Sequence, residues 1–371
     1  MATETKVVPA NTPSIVAKEK PSRQAVAIAK KVLLEEVCEG KRIDDYYVRD
    51  QQGHLWSHGR GSNWDQTDEE RSARVLGIQS LLIGLSNFEL PAMEECLRIL
   101  VPISMKDPFR YPRKSPFVLN FRDQQVIVRR GLATRSPILS SQRQRNKLVQ
   151  IYKGIDSCPS FNSALKKLFA GARDKQDLIR HFFEVLGYAM QEQRTEYRLV
   201  IFSGPEGSGK TSLLKTFGYI VGGNSTIKRS FGNLEKIKLP PHMSETRLLQ
   251  LHDDVDKPFT VNVASAGRRI QINGKPDAYQ NAPHLLSVIS TKNTFSLHGK
   301  NLDLAKRVCV FPMSNPIPKK LIDPSVFPIC WTYEMKGIIS EAIEGLKRLQ
   351  LRGGFLLPDD CKRALNVVLS E

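Results

Sequence analysis

A chain of 371 residues is long enough for two or three domains, and so for a nucleotide-binding core with an accessory domain. Hydrophobic residues make up 40% of it without an uncharged apolar run of membrane-spanning length or a signal-peptide pattern, which excludes a membrane protein and points to a soluble, cytoplasmic one. Lys and Arg outnumber Asp and Glu by 55 to 38, and the formal net charge of +17 favours a polyanionic partner, nucleic acid first, with a solvated basic surface as the plain alternative.

Residues 1–22 are rich in Pro, Ala, Thr and Lys without an apolar period, and they predict a disordered basic tail. The spacing of Val26, Ile28, Ala29, Val32, Leu33 and Val37 predicts a helix over 24–37. The run YYVRDQQGHLW, Tyr46 to Trp56, predicts two short strands about a polar turn, and a second pair follows in Phe117 to Arg130. Helical patterns lie between them at Ala73–Leu85 and Ala92–Leu100, giving a mixed α/β domain over 23–155. Two amphipathic helices, the second capped at Asp174, predict a helical collar over 156–196. From 197 to 316 buried strands alternate with loops and short helices, as in a parallel sheet covered on both faces, and 317–371 form a C-terminal helical segment. The cysteines, Cys38, Cys96, Cys158, Cys309, Cys330 and Cys361, show no C-x-x-C pair and no adjacent His cluster, and read as reduced and structural.

The chemistry concentrates after residue 198. An apolar strand, Leu199 to Phe202, runs into Gly204-Pro205-Glu206-Gly207-Ser208-Gly209-Lys210-Thr211, then Ser212 and an apolar-periodic helix. This is G-x-x-x-x-G-K-[ST] in its strand, loop, helix context, and it predicts an ATP site. The glycines let backbone amides turn toward phosphate at the positive end of the helix, Lys210 would reach the outer phosphates, and the Thr211 hydroxyl would ligate Mg2+.

A phosphate loop alone leaves kinases, transporters and GTPases open, so the segments beyond it decide the class. Leu248, Leu249 and Leu251 lead into Asp253 and Asp254, assigned to metal positioning and to activation of water, with a register shift toward Asp256 as the alternative. Another apolar strand ends in Ser290, Thr291 and Asn293, and Asn293 is the candidate sensor of the γ-phosphate. Arg307, just before the strand Val308 to Phe311, is the candidate arginine finger, a role that requires a neighbouring subunit.

This order within little over a hundred residues resembles the superfamily 3 helicases of viruses, phages and plasmids. The segment AGRRIQINGKPDAYQNAPHLLSVISTKN is similar to that superfamily's extra motif, which implies that Lys275, beside Arg268 and Arg269 in sequence, contacts single-stranded DNA from a hairpin in a central channel. Upstream, the strand pair with its Ser-Pro, Tyr152 and Cys158-Pro159-Ser-Phe161 resemble the domain that precedes the helicase core in poxvirus and phage primase-helicases. The resemblance spans about residues 115–357 and implies an AAA+-like P-loop core, a homo-hexameric ring, 3′ to 5′ movement on single-stranded DNA during replication of a viral, phage or mobile element, and the cytoplasm of a bacterial host if the element is bacterial. Residues 1 to about 110 show no primase-like acidic cluster, which leaves room for a separate primase or polymerase as partner. A DNA-bound initiator or loader without processive unwinding is the alternative function, and a non-catalytic initiation or scaffold protein is a further one.

Overall fold

The computed structural model describes residues 21–37, 43, 46–50, 53–58, 64–82, 89–103, 117–137, 148–191, 199–223, 226–229, 248–255, 258–263, 270–272, 275–276, 286–293, 295–298 and 307–370. They fall into two compact units, 1–57 with 66–108, and 58–65 with 109–371. The basic tail expected over 1–22 lies almost entirely outside the described residues.

In the first unit, α1 (Arg23–Lys31) begins at Ser22, whose Oγ accepts from the Ala25 amide at 3.1 Å, a cap that satisfies one of the helix's unpaired donors. The predicted helix continues to Val37, but its last turns, Val32–Val37, are π-helical. Strands β1 (Tyr47–Arg49) and β2 (Leu55–His58) form the antiparallel pair expected there, joined in one sheet by β3 (Trp64–Thr67). Helices α2 (Glu69–Leu82) and α3 (Leu90–Leu100) complete the unit. Its core holds Ala29, Leu33, Tyr47, Leu55, Leu76, Met93 and Leu97, and the buried Trp56 indole donates to Asp50 at 2.9 Å.

The second unit opens with an antiparallel meander, β4 (Phe117–Asn120), β5 (Gln125–Arg129) and β6 (Leu132–Ser136). Helices α4 (Pro159–Leu168) and α5 (Lys175–Ala189) follow, the latter capped as expected by Asp174, which accepts from the Asp177 amide at 3.1 Å. The centre is a five-stranded parallel sheet of β7 (Leu199–Ser203), β8 (Thr226–Arg229), β9 (Leu249–Val255), β13 (Leu286–Thr291) and β15 (Val308–Pro312), in the order β15-β7-β13-β9-β8. A smaller sheet contains β10 (Phe259–Val263), β11 (Ile270–Ile272), β12 (Lys275–Pro276) and β14 (Phe295–His298), in the order β12-β11-β10-β14. The remaining helices are α6 (Lys210–Val221), α7 (Val326–Tyr333), α8 (Met335–Arg352) and α9 (Asp359–Ser370).

Alternate side chains of a strand face opposite sides, so the unbroken apolar run of β7 requires cover on both. Val200 and Phe202 join the cluster of Phe161, Phe182, Phe217 and Phe311, whereas Leu199 and Ile201 join that of Val308, Val310 and Leu365. Helices α4 and α5 belong to the first of these clusters. Helix α5 meets α8 backbone to backbone: a Cβ on Gly187 would collide with the Ala342 carbonyl, and one on Gly345 would lie 2.6 Å from the Phe183 backbone. Gln350 of α8 ties in the meander, donating to the Val128 carbonyl at 2.8 Å and accepting from the Gly131 amide at 3.1 Å. This is the α/β P-loop architecture expected, with β13 inserted between the phosphate-loop strand β7 and the acidic strand β9. No helix among the described residues is long and apolar enough to cross a membrane.

Candidate functional site

The site is assembled where parallel strands end, because every strand of the central sheet delivers its C-terminal loop to the same edge. Strand β7 ends at Ser203, and the loop of Gly204 to Gly209 leads into α6. Gly207 and Gly209 have φ of +77° and +84°, the left-handed region that costs glycine nothing. Gly209 caps α6, and the Leu168 side chain fills the space that a Cβ there would need. Helix α6 carries no acidic side chain in its first turn, so its positive end faces the loop undiminished.

Pro205 and Glu206 form the exposed crest of the loop, whereas Ser208 and Lys210 are buried. The Lys210 ammonium donates to the Pro205 carbonyl at 2.6 Å, and Ser208 Oγ donates to the same carbonyl at 2.8 Å. Burial pulls the ammonium below its ordinary pKa, with the Asp254 carboxylate opposing that shift. At 7% exposure, Lys210 is held as a desolvated cation inside the loop, where its attraction for an anion is least screened. Ser212 contributes structure one turn on, its carbonyl accepting from Thr216 Oγ at 2.9 Å.

Opposite the loop stands Asp253 of β9. Its Oδ1 accepts from Thr211 Oγ at 2.8 Å and from Ser290 Oγ at 2.7 Å. Ser290 in turn accepts from the Asp254 amide at 2.8 Å. Three elements, α6, β9 and β13, therefore converge on one carboxylate oxygen. Thr211 and Asp253 present hard oxygen donors to a common point beside the phosphate loop, a set suited to Mg2+.

Consecutive strand residues face opposite sides, so Asp253 and Asp254 would diverge in a regular strand. The pairing of β9 with β13 breaks there: Ile289 sits opposite His252 and Thr291 opposite Val255, so two steps on one strand match three on the other. The bulge absorbs the extra residue, and Asp254 takes φ of +47°, a conformation that costs a non-glycine residue about 1 kcal/mol. Asp254 remains exposed, electrostatically coupled to Lys210. The alternative carboxylate, Asp256, lies outside the described residues.

Asn293 follows the exit of β13. Its Nδ2 donates to the Val255 carbonyl at 3.0 Å, and Thr291 Oγ donates to that carbonyl at 3.1 Å. Asn293 thus joins the exits of β13 and β9, while Ser290 is the strand-end residue that reaches the carboxylate. Ser290 lies on the strand the sequence predicts there, but nothing in its own segment marks it as the partner of Asp253.

Arg307 immediately precedes β15, and Val308 pairs with Leu199 at the start of β7. Five strand residues separate it from the phosphate-loop edge, about 16 Å at the rise of a strand. Arg307 does not join the site of its own chain. Lys275 lies in β12, paired with Ile272 of β11, and the Asn273-Gly274 dipeptide between them in sequence is the one that two-residue hairpins favour. Arg268 and Arg269 lie outside the described residues.

No family model and no curated protein matches the chain. Among solved structures it is similar to one titled the A form apo structure of NrS-1 C terminal region, with a TM-score of 0.48 and 12% identity over 87% of this chain and 71% of that one. A second, the A form of residues 305–718 of that region, gives a TM-score of 0.49 and 11% identity over 93% and 75%. A third, the apo structure of the same residues, gives 0.47 and 11% over 94% and 76%.

Proposed function

We propose that the chain is an ATP-dependent DNA helicase of the superfamily 3 type, a ring-forming motor that moves on single-stranded DNA during replication of a phage or other mobile element. The observation that carries the reading is the 2.8 Å contact between Thr211 of the phosphate loop and Asp253 of the acidic strand. A Gly-rich turn of no function has no reason to place a hydroxyl and a carboxylate together beside a buried lysine.

ATP is the substrate, and its phosphates lie against the amides of Gly207 to Thr211, with Lys210 leaving the Pro205 carbonyl for a phosphate oxygen. Thr211 and Asp253 hold Mg2+, which when bound offsets phosphate charge. Asp254, outside the Thr211–Asp253–Ser290 cluster yet electrostatically linked to Lys210, orients the attacking water. Arg307 serves the neighbouring subunit of a hexamer, since the sheet keeps it from its own loop. Lys275, with Arg268 and Arg269, grips the DNA backbone, where affinity falls steeply with salt and sequence preference is slight. A separate primase or polymerase is the expected partner, in the cytoplasm of the element's host.

The test is ATP turnover by purified protein with and without single-stranded DNA, together with particle mass in the presence of ATP. Wild type is expected to hydrolyse ATP, faster with DNA, and Lys210→Ala to lose turnover while keeping its circular dichroism and melting transition. Wild-type turnover by Lys210→Ala would remove the assignment. Hydrolysis without strand displacement on forked DNA would move the chain to the initiator or loader class.

A further inference from the structure

In sequence the six cysteines show no spacing that binds metal, yet the fold brings two of them to a histidine. His181 of α5, Cys309 of β15 and Cys361 of α9 place their ligand atoms within 4.8 Å of one another. All three are buried, at 2%, 0% and 0% exposure. His181 Nε2 lies 3.3 Å from Cys309 Sγ, and its other nitrogen, Nδ1, faces the Glu184 carboxylate at 3.7 Å. Glu184 is itself anchored by Arg352 at 2.6 Å. Phe311 and Phe355 rings flank the imidazole, their centroids 5.5 and 5.6 Å away.

We propose that His181, Cys309 and Cys361 form a structural zinc site that fastens the C-terminal helix to the edge of the central sheet. Tetrahedral zinc, with bonds of about 2.3 Å to sulfur and about 2.0 Å to nitrogen, sets its donors roughly 3.5–3.8 Å apart, so the present separations need only small side-chain adjustment. The donor set is soft and nitrogenous, which suits Zn2+ or Cu+ and not Mg2+ or Ca2+. Charge selects between the first two. Two thiolates and a neutral imidazole cancel Zn2+, whereas Cu+ would leave a net negative charge in an apolar surround, where an uncompensated charge is costly. On binding, each cysteine releases its thiol proton to solvent.

Glu184 lies on the far side of the imidazole from the cysteines, where it cannot share the ion. It faces Nδ1 from 3.7 Å, outside hydrogen-bond distance, and a small approach on metal binding would let it accept from Nδ1–H so that Nε2 presents its lone pair inward. The protein supplies three of the four ligands that tetrahedral zinc takes. The three donors come from elements far apart in the chain, so the ion would tie α5, β15 and α9 together in the folded state alone, and its binding energy becomes folding energy.

The experiment uses the full chain, purified under reducing conditions without added chelator. Elemental mass spectrometry is expected to find about one zinc per chain, as a single site requires. Removing it with a strong chelator should lower the melting temperature, and returning Zn2+ should restore it. Cobalt loaded in its place should show sulfur-to-cobalt charge-transfer absorption and the intense visible bands of a tetrahedral ion. Cys361→Ser should lose the charge-transfer intensity of one sulfur, while Lys210→Ala should keep the whole spectrum, separating this ion from any at the phosphate loop. If Cys361→Ser does not fold, the chelation and cobalt measurements on the wild type still decide. A metal-free protein whose melting ignores Zn2+ and chelator, or cobalt with the spectrum of the free ion, overturns the proposal. So does a Cys309–Cys361 disulfide in a non-reduced peptide map.

Discussion

Replacing Ser290 by alanine tests the geometry of the proposed hydrolytic site most directly. The hydroxyl is buried, donates to Asp253 at 2.7 Å and accepts from the Asp254 amide at 2.8 Å. Its removal takes away one hydrogen bond to a carboxylate and leaves a strand amide without that acceptor, each worth about 1–3 kcal/mol. Asp253 keeps its bond from Thr211, and partial relaxation reduces the loss felt at the carboxylate to about 2 kcal/mol. If that restraint operates in the transition state, kcat falls about 30-fold. KM for ATP should move little, because no atom of Ser290 is bonded to the phosphate loop. Steady-state ATPase measurements over a range of Mg2+ concentrations separate these effects, and a thermal melt shows that the variant folds. Ser290→Thr, which keeps the hydroxyl, should recover most of the rate. A Ser290→Ala enzyme with kcat within about twofold of wild type, at every Mg2+ concentration, would refute the reasoning that Asp253 must be held from β13.

Three further substitutions probe other parts of the account. Gly345→Ala places a methyl 2.6 Å from the Phe183 backbone and should destabilise the protein by about 1–3 kcal/mol, read as a lower urea midpoint at unchanged slope. Glu334 caps α4 by accepting from the Ser160 and Phe161 amides at 3.0 and 2.8 Å; Glu334→Gln should cost about 1 kcal/mol at neutral pH, measured by denaturant titration. Burial works to raise the Glu334 pKa, but the bonds from Ser160 and Phe161 prevail and hold it below the ordinary value. Its stabilisation is therefore complete above the unfolded-state value near 4.5 and lost as pH falls through the lower folded-state value, so the variant's melting temperature should fall less in acid. Arg307→Ala subunits mixed with wild type should depress ATPase activity below the dilution line if the arginine acts on a neighbour, whereas activity proportional to the wild-type fraction would exclude that role.

The parts legible in the sequence were those written locally. The phosphate loop announces itself through glycine spacing between a strand and a helix, and Asp174 was visible as a cap before an amphipathic period. The β9 bulge was not, because two adjacent aspartates look the same in a regular strand and a kinked one; only the pairing with β13 shows that Asp254 leaves the ladder. Ser290 was missed for a related reason. Its partner Asp253 is 37 positions away, and register between non-adjacent segments has no signature in either segment alone. Strands β6 and β8 are short edge elements, held by pairing and packing more than by their own periodicity. The His181, Cys309 and Cys361 cluster is the extreme case, since its members lie on three elements, with 128 positions between His181 and Cys309 alone.

The placement of Asn293 changes how hydrolysis would be transmitted under the proposed function. Both strands that end at the phosphate edge continue, after three residues each, into the smaller sheet: β9 ends at Val255 and β10 begins at Phe259, while β13 ends at Thr291 and β14 begins at Phe295. Strands β10 and β14 pair in parallel, with the Phe259 and Phe295 rings stacked at 5.4 Å, and β10 carries the β11–β12 hairpin of Lys275. A displacement of Asp253 relative to Lys210 therefore has two short covalent routes toward that hairpin. Independent routes would let the two exits splay and absorb the movement. Asn293 and Thr291 of the β13 exit both bond the carbonyl of Val255 at the β9 exit, so the exits move as one and the strain passes on to the sheet that bears Lys275. If Asn293 also senses the γ-phosphate, its bond to the Val255 carbonyl would couple that contact to the end of the acidic strand and to the element that would hold DNA.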